Sequence, residues 1–349
     1  MKIFLTGATG FLGGKLIQSL IAKPDHTLYV LVRNVQKGEL IRSKLTDEQQ
    51  TRLHLLQGDI TSADLGLSEE AIATLSSVDI FYHLAALVKF DLDLRDELFA
   101  VNYDGTKNCL ELAAKVGAAK FLYVSTAYTV GQRAVGEERL YEVDATYNNP
   151  YEESKVKSEH LVFSYADQMD VSILRPSIIV GDSKTGEADS QFTLYGFMRA
   201  VDLFKRRVTR TEEGRNQRYR LVANSNGNSN LVPVDYVANV LSLATTKAEP
   251  NIIYHITNPQ PPHNYDLLVM LRDALQFSQL DVIEAGKDYQ LSPSETRLNE
   301  LIAVFNVYLA GALTFKDDNT QALLADSEFD HLNMSNETVQ MIMEAYFKQ

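Results

Sequence analysis

The chain has 349 residues, 33 Lys and Arg against 46 Asp and Glu, and a net charge of −13. A surplus of that sign excludes a surface built for nucleic acid or an anionic membrane, so anionic ligands must be met by local basic patches. With 45% apolar residues the chain is long enough for one large α/β domain carrying a smaller one, around a sizeable core. The single cysteine, Cys109, excludes a disulfide framework, points to a reducing cytoplasm and reads as core packing rather than a nucleophile. None of the seven histidines has ligand spacing, so no metal is expected, and the uncharged run at 301–315 is too short for a membrane span.

The apolar run Ile3, Phe4, Leu5 leaves no room for a signal peptide ahead of it and breaks at Gly7, Gly10 and Gly13 into a helix-like segment, 15–22. Strand, tight turn and helix in that order place backbone N–H groups where a pyrophosphate can sit at the positive end of the helix. Gly7 permits the turn, Gly10 the close approach and Gly13 the packing of helix on strand.

A second strand, 27–32, ends at Arg33, where an acidic residue would hold the ribose 2′-hydroxyl of NAD. Arg33 can instead pair with a 2′-phosphate, with Lys37 and Arg42 adding charge, so NADP(H) is favoured over NAD(H). Strands at 53–57 and 78–83 follow. In a doubly wound sheet ligands lie at the carboxyl ends of strands, which puts Asp59 and Ile60 beside the adenine and the small Ala85 and Ala86 against the cofactor. His83 reads as a buried structural histidine, and one long helix is expected over 95–116, carrying Asn102.

After a fifth strand, 120–125, come Ser125-Thr126-Ala127-Tyr128 and then Tyr151-Glu152-Glu153-Ser154-Lys155. Tyr151 and Lys155 share one helix face at i,i+4, which brings an ammonium near a phenol. That charge favours phenolate and is expected to lower the tyrosine pKa into a useful acid–base range. The next strand, 171–174, stops at Pro176, which cannot donate to a ladder, and the chain turns over the nicotinamide end of the cofactor.

With Thr6-Gly7-Ala-Thr-Gly10-Phe-Leu-Gly13, Thr126, Tyr151 and Lys155 in order, the chain resembles the extended short-chain dehydrogenase/reductases over roughly residues 1–275. Its His83-Leu-Ala-Ala-Leu-Val-Lys-Phe-Asp91, Val101-Asn-Tyr-Asp-Gly-Thr106 and Arg175-Pro-Ser-Ile-Ile-Val-Gly181 stretches are most similar to the thioester-reductase and fatty-acyl-CoA-reductase branch. The resemblance implies a Rossmann-type doubly wound parallel sheet with a smaller, mainly helical C-terminal substrate domain. It implies Thr126, Tyr151 and Lys155 as the catalytic set. Gly7, Thr9, Gly10, Phe11, Leu12, Arg33, Asp59, Ile60, Ala85, Lys155, Pro176 and Ile178 would line NADPH, and Asn102 would support the lysine through a water. Residues 1–181 and 231–257 would form the nucleotide domain, 182–230 and 258–349 the substrate lid.

The activity implied is NADPH-dependent reduction of an acyl thioester, on coenzyme A or an acyl carrier protein, to an aldehyde that a second hydride could carry on to alcohol. With no carrier or adenylation domain attached, a free-standing cytoplasmic enzyme is expected, and the resemblance implies a homodimer. Two alternatives stay open: a dehydrogenase, reductase or epimerase acting on a sugar nucleotide, sterol or small carbonyl, and a sensor that holds NADP(H) without turnover. The crowd of Arg199, Lys205, Arg206, Arg207, Arg210, Arg215, Arg218 and Arg220 suits either phosphate or carrier-protein binding or a plain solvated face. Residues 225–229 read as a surface loop, and 304–315 as an acyl-channel wall or buried core.

Overall fold

The computed structural model describes residues 1–188, 194–224, 227–302 and 312–348. Its centre is a seven-stranded sheet of β1 (Lys2–Thr6), β2 (Thr27–Val32), β3 (Leu53–Gln57), β4 (Ile80–His83), β5 (Lys120–Val124), β6 (Asp170–Pro176) and β7 (Ile252–Ile256). The order is β7-β6-β5-β4-β1-β2-β3, every neighbouring pair parallel. Strand order reverses between β1 and β4, so the crevice for a ligand opens there, at the carboxyl ends.

The strands are apolar on both faces because both are covered, as a parallel sheet requires. Ile3 and Leu5 of β1 pack with Leu16, Ile17 and Leu20 of helix α1 (Phe11–Ile21). On the opposite face Phe4, Phe81 and Phe121 meet Cys109, Leu110 and Ala113 of α2 (Gly105–Lys115). Cys109 is fully buried and burial pushes its thiol well up, as a packing role requires.

The helix expected over 95–116 is interrupted. Residues Arg95–Phe99 are α-helical, Ala100–Asp104 form a π-turn, and α2 follows. The widened turn leaves the Asn102 carbonyl to accept the hydroxyls of Thr106 (2.5 Å) and Ser158 (3.0 Å).

Helix α3 (Pro150–Phe163) starts cleanly: Asn149 accepts the Glu152 N–H at 3.0 Å and Pro150 occupies the first turn, where its missing N–H costs nothing. It then buries Glu152, Ser154, Lys155, Ser158 and Glu159. That polar face is satisfied rather than hydrophobic. Arg175 of β6 is fully buried and bidentate to Glu159 at 2.8 and 2.6 Å, and its remaining donors reach the carbonyls of Glu137 and Arg139. His255 of β7 completes the cluster: its Nδ1 lies 2.7 Å from the Lys316 carbonyl and so carries the proton, leaving Nε2 to accept from Arg175 at 3.3 Å. Burial and the adjacent guanidinium hold His255 down at about 3, so it stays neutral.

Leu231–Pro233 pair with Ile178–Val180, and the following helix, Val234–Lys247, packs on α1. A second body is built by α4 (Leu194–Val208), the parallel pair Tyr219–Ala223 and Leu280–Glu284, and the helices Asn264–Ala274, Pro293–Ile302 and Asn336–Lys348. It has its own core, with Met198, Phe204, Leu221, Leu271, Phe277, Leu298 and Met343.

Within the 258–349 stretch expected to join the lid, one part lies elsewhere. Thr314–Phe315 pair with Val135–Gly136, and the helix Asp318–Leu324 packs on β7, its Leu323 and Leu324 joining the core under α1. Glu138 fastens it by accepting the N–H groups of His255 (2.8 Å) and Asn319 (2.7 Å). No periodicity announces such a return.

Glu159→Gln leaves the Arg175 guanidinium buried without its counter-charge. A loss of about 3–5 kcal/mol in urea unfolding is expected, and a loss under about 1 kcal/mol would show that the pair does not anchor α3.

Candidate active site

Gly7, at φ +73°, turns the chain directly beneath the loop after β4: a Cβ there would lie 2.6 Å from the Ala85 nitrogen. At Gly13 a Cβ would stand 2.3 Å from the Gly7 carbonyl oxygen. Neither site admits a side chain, and the result is a bare backbone cradle at the start of α1, whose N-cap is Gly10. This is the donor set and the dipole end that a pyrophosphate needs, so the residues present fit a dinucleotide.

From the cradle the strand ends run two ways. Toward β2 and β3, Arg33 is exposed at the end of β2. Asn34 caps the next helix by accepting the Lys37 N–H at 3.0 Å, and Arg42 is drawn to Glu39 at 3.0 Å. At the end of β3 Asp59 holds the N–H and hydroxyl of Thr61 at 2.9 and 2.8 Å, and Ile60 is buried with its carbonyl on Asn108.

Toward β5 and β6 opens a cleft of about 250 Å³. Of the expected residues, Gly7, Gly10, Phe11, Leu12, Pro176 and Ile178 line it together with Thr126, Tyr151 and Lys155. Thr9, Arg33, Asp59, Ile60 and Ala85 do not. The last of these packs beneath Gly7 and donates its N–H to the Thr6 hydroxyl at 3.3 Å.

The Lys155 ammonium is buried, donates to the Val124 carbonyl at 2.8 Å and lies 4.3 Å over the Tyr123 ring. Burial pulls it from its ordinary 10.5 to about 7, with the Glu159 carboxylate opposing. Tyr151 runs the other way from the expectation: burial, aided by Glu152, pushes its phenol well up, and the ammonium does not reverse this. The physical reason is desolvation, which disfavours phenolate and ammonium alike. The phenol therefore stays protonated, the form a proton donor needs. The Thr126 hydroxyl accepts the Tyr128 N–H at 3.2 Å, which leaves its own proton to donate into the cleft.

His83 is structural, as its sequence context implies. It is fully buried between Thr6 (2.7 Å) and Thr106 (3.0 Å), and burial together with Lys155 holds it at about 3. Asn102 spends its side chain on Leu87 (2.7 and 3.0 Å) and Ser154 (3.1 Å), fixing the loop after β4 to α3.

Leu84, Val88, Phe90, Ser125, Tyr128 and Ser177 also line the cleft, and sequence reasoning assigned them nothing. Val88 and Phe90 give it an apolar wall, with Phe90 edge-on to Tyr151 at 6.0 Å between ring centroids. The available signal was their place directly after strand ends. The basic crowd disperses: Arg206 pairs with Asp202 (2.7 Å), Arg218 with Asp281 and Arg220 with Glu295 (2.6 Å), while Arg199, Arg207 and Arg210 are exposed. Of the loop at 225–229, Ser225 and Asn226 lie outside the described residues, as do 304–311 of the expected channel wall. Among the described residues no helix is long and apolar enough to cross a membrane.

A family model described as Male sterility protein matches residues 5–241. The chain belongs to that family. Its similarity to a linear gramicidin synthase polypeptide of Brevibacillus parabrevis is 29% identity over 289 residues, 77% of this chain and 5% of that protein. To fatty acyl-CoA reductase 1 of Xenopus laevis it is 30% over 223 residues, 51% of this chain and 43% of the relative. The chain thus spans well under two thirds of either. The terminal R domain from the myxalamid PKS-NRPS biosynthetic pathway superposes with a TM-score of 0.78 at 25% identity, covering 99% of this chain and 89% of that one. Family membership and fold place the chain among NAD(P)-dependent oxidoreductases of the extended short-chain dehydrogenase/reductase type.

Gly13→Val, which drives a side chain into the Gly7 carbonyl, should abolish NADPH binding measured by fluorescence; binding within tenfold of wild type would contradict the cradle. The Lys155 ammonium is present below about pH 7 and lost above it. The unfolded chain keeps that proton to about 10.5, so folding stability rises across this window while the charge available to an anionic ligand disappears. NADPH affinity is therefore expected to weaken as pH rises through about 7 and to lose that dependence in Lys155→Met; an identical profile in both proteins would count against the assignment.

Proposed function

We propose that the protein is an NADPH-dependent reductase of acyl thioesters. The observation that carries the reading is the joining of Thr126, Tyr151 and Lys155 to an apolar-walled cleft directly beside the glycine cradle, in a chain related to a fatty acyl-CoA reductase and to the terminal R domain of a PKS-NRPS pathway. A cleft whose described lining contains one charged residue, Lys155, favours an acyl group over a sugar nucleotide, whose phosphates would need more cations.

Bound NADPH supplies the hydride for the thioester carbonyl carbon. The Thr126 hydroxyl donates to the oxygen as it becomes negative, and Tyr151 delivers the proton that turns it into the hydroxyl of a hemithioacetal. Lys155, fixed by the Val124 carbonyl, keeps further N–H bonds with which it would hold the nicotinamide ribose. The hemithioacetal hydroxyl then gives up its proton as the carbon–sulfur bond breaks, which leaves an aldehyde, and the departing thiolate takes up a proton, so that the free thiol is the second product. Exposed Arg33 is suited to the 2′-phosphate that separates NADPH from NADH. The thioester is carried by coenzyme A or by an acyl carrier protein, whose acidic surface the exposed Arg199, Arg207 and Arg210 would suit.

The test is NADPH oxidation against a panel of acyl-CoA thioesters. Tyr151→Phe should lower turnover about 100-fold or more while leaving NADPH affinity within a few-fold, and Arg33→Ala should shrink the preference for NADPH over NADH by about tenfold or more. Turnover unchanged in Tyr151→Phe, or thioesters inert while a sugar nucleotide reacts, would reject the proposal.

A further inference from the structure

Two side chains in the cleft carry hydrogen-bonding groups that nothing among the described residues satisfies. Ser125 and Ser177 are 5% and 6% exposed, both line the cleft, and the hydroxyl of each is buried without a partner. Their backbones, by contrast, are engaged. The Ser125 N–H donates to the Leu174 carbonyl at 2.8 Å and the Ser177 N–H to the Ile256 carbonyl at 3.1 Å. Each residue is therefore held at the end of its strand, β5 or β6, as a continuation of the ladder.

Strand alternation sets where the hydroxyls lie. Ser125 falls on the side of Tyr123, whose ring lies under the Lys155 ammonium, and Ser177 on the side of Arg175, which is clamped to Glu159 of α3. Both thus stand on the face covered by the helix that carries Tyr151 and Lys155. Their neighbours are different: the hydroxyls of Ser154 and Ser158 donate to carbonyls, and that of Thr126 accepts a backbone N–H. Unpartnered buried hydroxyls destabilise a folded chain, and here two of them are gathered where a ligand enters.

We propose that Ser125 and Ser177 together hold a carboxamide group. Each hydroxyl can donate once and also accept, which matches an amide's carbonyl oxygen and N–H. A carboxylate or phosphate fits less well, because neither serine carries a charge to balance an anion and neither anion has the N–H that a hydroxyl could accept, while Lys155 is the one charged residue in the described lining. Two ligands of the proposed reaction bring such a group to the cleft: the nicotinamide ring of the cofactor and the pantetheine arm of the thioester. The second source rests on the thioester reading; the first does not.

Ser125→Ala, Ser177→Ala and the double variant test this with three readouts. In ligand-free protein the melting temperature should be unchanged or higher, since an unsatisfied hydroxyl is removed; a clear fall would mean that the hydroxyls are structural and overturn the proposal. Calorimetry with NADPH and with 2′,5′-ADP, which lacks nicotinamide, comes second. A loss of roughly 2- to 12-fold per hydroxyl for NADPH alone assigns the pair to the nicotinamide carboxamide. Third, a comparable rise in KM for acyl-CoA, but not for the S-ethyl thioester of the same acid, assigns it to the pantetheine amide. Equal weakening of NADPH and 2′,5′-ADP, or no change in either comparison, overturns the proposal. Should no thioester react at all, the thioester reading fails and the calorimetric comparison decides alone.

Discussion

The structure depends on a helix that turns its polar face inward. Most surface helices bury an apolar stripe; Pro150–Phe163 buries Glu152, Ser154, Lys155, Ser158 and Glu159. What holds it is a set of directed contacts, the bidentate Arg175–Glu159 pair and the Lys155 bond to the Val124 carbonyl. Directed contacts fix rotation about the helix axis in a way that apolar packing does not. Tyr151 and Lys155, one turn apart, are thereby aimed at the ends of β5 and β6.

The rest of the site follows from where those strands end. The seven strands terminate on one edge, and the glycine turn lets the backbone of β1 meet the loop after β4 with no side chain between them. A cofactor laid across that edge would run from the exposed arginine beyond β2 to the cleft at β5 and β6. Desolvation then decides protonation, keeping the Tyr151 phenol protonated and bringing the Lys155 ammonium close to neutrality. The expectation that the cation would set the tyrosine's acidity treated the pair as if it stood in water. Inside the cleft both groups lose hydration, and that loss exceeds their mutual effect.

How much could be read in advance depended on the range of the interaction. The glycine turn, the strands and the tyrosine and lysine at i,i+4 are local patterns, and the structure has them at or close to the residues where periodicity placed them. Features made by distant parts of the chain left no local trace. The π-turn at Ala100–Asp104 frees a carbonyl for Ser158, more than fifty positions on. The His255 link to Lys316 and the return of Asp318–Leu324 to the sheet edge join segments that no motif connects. Ser125 and Ser177 escaped notice because a serine beside a known motif looks like any other until burial shows its hydroxyl to be alone.

Thioester reduction requires that a carbon–sulfur bond break as hydride is delivered, and the most direct measurement is the thiol released per NADPH oxidised, followed with a thiol reagent during acyl-CoA turnover. One free coenzyme A is expected for each NADPH if the aldehyde is released, or one for every two if it is carried on to alcohol. NADPH oxidation with no thiol released would contradict the proposed function, because the reduction would then be of some other bond.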